Sequence, residues 1–132
     1  MSKLKCECGR IIIDQDDDNL VNKAYFIRDQ NKEQLLQSTY VIADFIRSIQ
    51  DNRRNFWLKK YFNTDTYSTL SDEDVVADII LKFQTKYESI IYMCENCGRL
   101  KVQKGNKNVF ITFLPENNDW LNIFKPHENK VS

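Results

Sequence analysis

The sequence predicts an α+β fold in which antiparallel strands drawn from both chain ends enclose a helical insert of two to three helices. Three observations predict it. Cysteines stand in two close pairs near opposite ends, Cys6 with Cys8 and Cys94 with Cys97. Each pair is followed at once by Gly-Arg and then by an apolar, strand-like segment. The residues between the pairs repeat their apolar side chains with helical rather than alternating periodicity.

At the N-terminal end the chain reads Cys6-Glu7-Cys8-Gly9-Arg10, and at the far end Cys94-Glu95-Asn96-Cys97-Gly98-Arg99-Leu100. Two cysteines this close on a tight turn can aim both sulfurs at one point about 2.3 Å away, as a bound metal requires. The chain must then reverse, and glycine adopts the positive φ of such a reversal at least cost. Gly9 and Gly98, two of only 3 glycines in the protein, stand at these places. The expected site is a structural Zn2+ held by Cys6, Cys8, Cys94 and Cys97, so the strands at the two ends form a zinc-ribbon-like pair of knuckles.

A disulfide framework fits less well, because no export signal precedes Cys6. A redox dithiol at Cys94 and Cys97 would leave Cys6 and Cys8 unexplained. A catalytic zinc keeps an open position beside histidine or carboxylate ligands, and the single histidine, His127, lies in a polar C-terminal stretch. Iron also suits four thiolates, but zinc is the better match for a closed structural cluster.

Each element in between has its own warrant. Arg10 to Ile13 reads as a strand. The acidic run from Asp14 to Asn19 superficially resembles a calcium loop but lacks its glycine and terminal glutamate, so a solvated turn is expected. Tyr25 to Ile27 is a second short apolar stretch. From about Gln30 to Gln50, Leu35, Thr39, Ile42, Ile46 and Ile49 recur at helical spacing, flanked by Leu36 and Phe45. Arg53 to Phe62 predicts a second helix with an aromatic face. After a polar loop from Asn63 to Leu70, Ser71 with Asp74 forms a capping box, opening a helix with Val76, Ile80, Phe83 and Tyr87 on one stripe and Ile79 beside it. Ser89 to Met93, Arg99 to Gln103 and Val109 to Leu114 predict a three-stranded meander around the second knuckle. Trp120, Leu121, Ile123 and Phe124 should pack back onto the domain. Residues 1–124 are thus expected as a single zinc-clasped domain, with 125–132 a disordered tail.

Composition limits the function. With 132 residues, 42% of them hydrophobic, a folded globule is expected. Nineteen basic and nineteen acidic side chains cancel, a balance that does not favour nucleic acid. No apolar run approaches the length that spans a bilayer, so a cytoplasmic protein with no membrane partner is expected. Catalysis is not expected either, since the glycines form no phosphate-binding loop and no histidine is placed to activate a nucleophile.

The Cys-x-Cys-Gly start, the phrase from Asn22 to Gln30 and the late Cys-x-x-Cys-Gly-Arg-Leu resemble a family of small, largely uncharacterised bacterial proteins. The resemblance covers both ends and that one phrase, and it carries no chemistry to transfer. Small solitary bacterial domains of this general type, neutral to acidic and without catalytic residues, include immunity proteins that neutralise a toxin by binding it.

The expected function is therefore a non-catalytic, zinc-stabilised protein-binding module of the immunity or antitoxin type, whose partner is another protein, a toxin among the candidates. Trp57, Tyr61 and Trp120 are candidate anchors, because aromatic side chains dominate interface energetics. Asp16, Asp17 and Asp18 would suit a basic partner. Ordinary core packing is the competing explanation for each aromatic. The alternative function is a nucleic-acid-binding zinc-ribbon regulator using Arg10, Arg53, Arg54, Lys59, Lys60, Arg99, Lys101 and Lys104. The aromatics interleaved with cations from Arg53 to Phe62 would suit single strands.

Overall fold

The computed structural model of the chain describes residues 2–14 and 21–127. Asp16, Asp17 and Asp18, and with them most of the acidic run, lie outside the described residues, as do residues 128–132. The fold is α+β, with antiparallel strands and helices. The described residues fall into two compact units. One joins the residues up to Phe26 with those from Ser89 onward, and the other runs from Ile27 to Glu88.

The strand unit contains two sheets. A hairpin pairs β1 (Ser2–Lys5) with β2 (Ile11–Asp14), with Leu4 opposite Ile12. The first strand is not evident in the sequence: it has only one apolar residue, Leu4, and is held by its partner rather than by its own pattern. The second sheet runs in the order β3 (Lys23–Ile27), β4 (Glu88–Met93), β5 (Leu100–Gln103) and β6 (Phe110–Phe113). The β4–β5 and β5–β6 pairs are antiparallel, which gives the expected meander.

The register sorts the side chains of this sheet onto two faces. Tyr92, Lys101 and Thr112 form one cross-strand row, and Ile91, Val102 and Ile111 form a row on the opposite face. Tyr92 is buried with Ile12, Cys6 and Cys94, and Leu4, Ile90, Cys97 and Phe110 pack against that cluster. The knuckle cysteines are therefore part of this unit's apolar core.

The helical unit has a separate core. Its elements are α1 (Lys32–Leu36), α2 (Ser38–Gln50), α3 (Arg54–Phe62) and α4 (Asp72–Tyr87), with 3-10 turns at Asp29–Asn31 and Thr66–Thr69. One helix was expected from Gln30 to Gln50, but the chain breaks it at Gln37. Asparagines at positive φ follow α2 and α3, Asn52 at 56° and Asn63 at 58°; asparagine tolerates this left-handed exit better than most residues. Ser71 accepts a hydrogen bond from the Asp74 amide, so it caps α4 as expected, with acidic residues in the first turn where the helix dipole favours them.

The buried centre consists of Phe45, Leu58, Val75 and Ile79. The apolar stripe of α4 is therefore rotated by one residue from its expected position: Val75 and Ile79 are buried, and Ile80 is exposed. Ile46 of α2 is exposed as well, because Phe45 beside it takes the core. Arg54 ties α3 to the approach to α4. Its guanidinium donates to Asp72 at 2.9 Å and to the Leu70 carbonyl at 2.6 Å.

Candidate metal centre

Each knuckle is a turn closed by its own backbone. In the first, the Cys6 amide donates to the Arg10 carbonyl at 2.8 Å and the Gly9 amide to the Cys6 carbonyl at 2.9 Å. In the second, the Cys94 amide donates to Arg99 at 2.9 Å and the Gly98 amide to Cys94 at 2.8 Å. The two turns repeat one hydrogen-bond scheme, and the second accommodates one more residue between its cysteines. Gly9 has φ +99° and Gly98 φ +79°, the left-handed region where a side chain is disfavoured. Gly98 has a second constraint. A Cβ at that position would lie 2.4 Å from the ring of Trp120, so the indole packs directly on the knuckle backbone.

These turns bring four sulfurs together. The Sγ atoms of Cys6, Cys8, Cys94 and Cys97 all lie within 4.8 Å of one another. Cys6 and Cys97 are 3.5 Å apart, as are Cys8 and Cys94. Tetrahedral coordination at about 2.3 Å per bond sets sulfurs about 3.8 Å apart. The cluster can therefore hold one metal ion, with ligands from both chain ends. Cys6 and Cys94 are buried, Cys97 is partly covered and Cys8 is exposed.

The surroundings act on the thiols in opposite directions. Burial pushes Cys6 up to about 12 and raises Cys94 as well. A hydrogen bond from the Asn96 amide leads the effects that bring Cys8 down to about 6. For Cys97 burial opposes ionisation but is outweighed by Arg99, whose backbone and guanidinium both donate to the sulfur, the latter at 3.3 Å. The surroundings thus favour ionisation at the two more accessible cysteines and oppose it at the two buried ones. A cation at the centre would favour the ionised form at all four.

Outer contacts fix the knuckles. Glu7, between the first two cysteines, accepts a hydrogen bond from the buried Lys101 ammonium, which also donates to the Thr112 hydroxyl at 2.7 Å. That contact holds the Glu7 carboxyl down at about 2. Arg10 reaches Glu95 at 3.4 Å and so links one knuckle to the other. Nearby, Asp14 accepts from the Tyr92 hydroxyl at 2.5 Å and from the Lys23 ammonium at 3.0 Å. Burial, followed by the hydrogen bond to Asp14, pushes the Tyr92 hydroxyl up to about 12. Asp14, Tyr92, Glu7 and Lys101 line a polar cleft of about 640 Å³. One sequence signal points to part of this arrangement: alternation along β5 sets Lys101 on the opposite face from Leu100 and Val102.

The other candidate residues have clear positions. Trp57 and Tyr61 stack with ring centroids 4.9 Å apart and pack against the helical core. Trp120 is partly covered, on Gly98, beside a cavity of about 490 Å³ that it lines with Val21, Met93 and Phe124. Of the eight cations considered for nucleic acid, four are paired with carboxylates: Arg10 with Glu95, Arg54 with Asp72, Lys59 with Asp65 and Lys101 with Glu7.

Residues 2–117 match the family described as a domain of unknown function, DUF8617, and the chain belongs to that family. The chain is also 37% identical over 67 residues to an uncharacterized membrane protein, YobI, of Bacillus subtilis (strain 168). That match covers 48% of this chain and 5% of the relative, so the chain spans only a small part of that protein's length. The relative is named as a membrane protein, and on that finding the expectation of a cytoplasmic location does not stand. No helix among the described residues is long and apolar enough to cross a membrane. No solved structure matches the chain.

Proposed function

We propose that the chain is a non-catalytic protein-binding module, built on a zinc ribbon split between the two chain ends, with Cys6, Cys8, Cys94 and Cys97 holding a structural Zn2+. The observation that carries this reading is the convergence of four thiol sulfurs from two matched turns at tetrahedral spacing. Four thiolates complete the coordination of zinc and leave no position for water or substrate, so the ion would cross-link the chain rather than act on a ligand. Zinc is favoured over iron as the better match for a closed structural cluster of four thiolates.

The binding function then belongs to the surface. The partner is a protein, and the immunity type of module, which neutralises a basic toxin such as a nuclease, fits the exposed acidic turn at Asp72, Glu73 and Asp74. A matching stretch that is a small part of a much longer relative also suits a module that serves inside larger proteins. Half of the cations that would serve nucleic acid are occupied by carboxylates, which weighs against the alternative.

Affinity purification of the metal-bound chain from its native host tests the reading. The expected result is one protein retained in stoichiometric amount and lost with Cys94→Ser. Recovery of nucleic acid instead, released as salt is raised, would refute it in favour of the nucleic-acid alternative.

A further inference from the structure

The knuckles account for the four sulfurs but not for the polar cleft of about 640 Å³ in the same unit. That volume lies within the range of small-molecule sites, about 300–1,000 Å³. The cleft lies on the meander face that carries Tyr92, Lys101 and Thr112 in one row and Gln103 with Phe110 in the next. Leu4 of β1 and Glu7 of the first knuckle line it as well.

Two side chains in the cleft have hydrogen-bonding capacity left over. Lys101 is the one charged side chain buried among the described residues, at 4% exposure. A buried ammonium is costly unless its protons are matched. Glu7 and Thr112 take two of its three protons, and the third has no acceptor among the described residues. Asn108 is the other: its exposed amide makes no hydrogen bond among the described residues. Gln103 differs, since its amide is spent on the Ile90 N–H and the Lys107 carbonyl.

The charges of the cleft cancel. Glu7 is paired with Lys101, and Asp14 with Lys23. Lys3 and Lys5 stand at the rim, but they alternate with Leu4, which packs inward on the Tyr92 cluster, so their side chains belong to the outer face of the hairpin. An ion therefore meets no net charge here. What remains are directional groups, namely the third Lys101 proton, the Asn108 amide and the spare lone pairs of Glu7, beside the apolar surface of Ile90 and Phe110.

We propose that this cleft binds a neutral sugar. A pyranose joins the two properties the cleft asks for: hydroxyls that each donate and accept around its edge, and C–H groups on its faces. The hydroxyls meet Lys101, Asn108 and Glu7, and a C–H face lies on Phe110 and Ile90. The inference goes beyond the partner-binding reading and does not depend on it.

Amide chemical shifts of the full metal-bound chain test the proposal. The probes are glucose, galactose, mannose, N-acetylglucosamine and their methyl glycosides, each titrated to about 50 mM, which covers millimolar affinities. At least one should shift the Asn108, Phe110 and Thr112 amides saturably, with a dissociation constant that raised salt leaves unchanged, as a neutral ligand requires. The methyl glycosides, blocked at the anomeric oxygen like a sugar within a glycan, separate a glycan-borne unit from a free sugar, and either supports the proposal. Asn108→Ala and Thr112→Val should each weaken binding about three- to tenfold. Asn108 is exposed ahead of β6, so its variant decides the matter should Thr112→Val fail to fold. No saturable shift with any of these sugars, shifts confined to other parts of the chain, binding undiminished in Asn108→Ala, or saturation of the same amides by inorganic phosphate or adenosine alone overturns the proposal.

Discussion

Removing the metal should melt the strand unit and spare the helical one. The cross-link joins Cys6 to Cys97, 91 residues apart. With the helical unit from Ile27 to Glu88 still folded, about 30 of those residues are free chain, and chain-entropy reasoning for a loop of that length gives about 3.6 kcal/mol at 25 °C. The strand unit comprises about 70 residues, a size at which 1 kcal/mol moves the midpoint by about 4–8 °C. Loss of the cross-link should then lower that unit's Tm by about 15–30 °C. The helical unit buries Phe45, Leu58, Val75 and Ile79 without help from any cysteine and should keep its transition. The two tryptophans separate the responses, since Trp120 lies in the strand unit and Trp57 in the helical one. Fluorescence melts of Trp57→Phe and Trp120→Phe, with and without a chelator, read each unit alone. A Trp120 transition that stays within about 5 °C of its metal-bound midpoint after chelation would refute the cross-linking role.

Other substitutions should distinguish the two knuckles and the two cores. Gly98→Ala must strain a positive φ and displace Trp120, at about 2–4 kcal/mol. Gly9→Ala meets open space and should cost only about 1 kcal/mol, and equal losses in denaturant titrations would contradict the packing at Gly98. Phe45→Ala should cost about 3–5 kcal/mol in the helical unit alone, with metal content unchanged by elemental analysis. Asp14 titrates below its ordinary value: burial raises it, but the Tyr92 hydroxyl and the Lys23 ammonium outweigh that. A depressed carboxyl contributes stability above its unfolded value and loses it as pH falls through the folded one. The stability gap between the unaltered chain and Asp14→Asn should therefore be constant above about pH 5 and close below about pH 4; a gap that widens in acid would contradict it.

The four-cysteine cluster was the most legible feature, because it is written locally: two cysteine pairs, each with its reversing glycine. The meander was legible too, since Val109 to Leu114 and its neighbours are short apolar runs bounded by turn residues. Helix faces were less so. In α4, Val75 and Val76 are adjacent, as are Ile79 and Ile80, and periodicity alone does not choose between two stripes one residue apart; packing on Leu58 and Phe45 decides. The strand Ser2–Lys5 has too few apolar residues to announce itself and exists through its pairing with β2. The separate core of the helical unit was not legible either, since no glycine- or proline-rich linker marks its borders. The contacts of Glu7 with Lys101 and of Asp14 with Tyr92 span 94 and 78 residues, and no local pattern encodes them.

X-ray absorption at the zinc edge, combined with elemental analysis of the purified chain, addresses the four-cysteine site itself. One zinc per chain with four sulfur neighbours at about 2.3 Å is predicted, falling to no stoichiometric metal in Cys94→Ser. A strand unit that folds without metal, or zinc bound through nitrogen or oxygen in place of any of the four sulfurs, would contradict it.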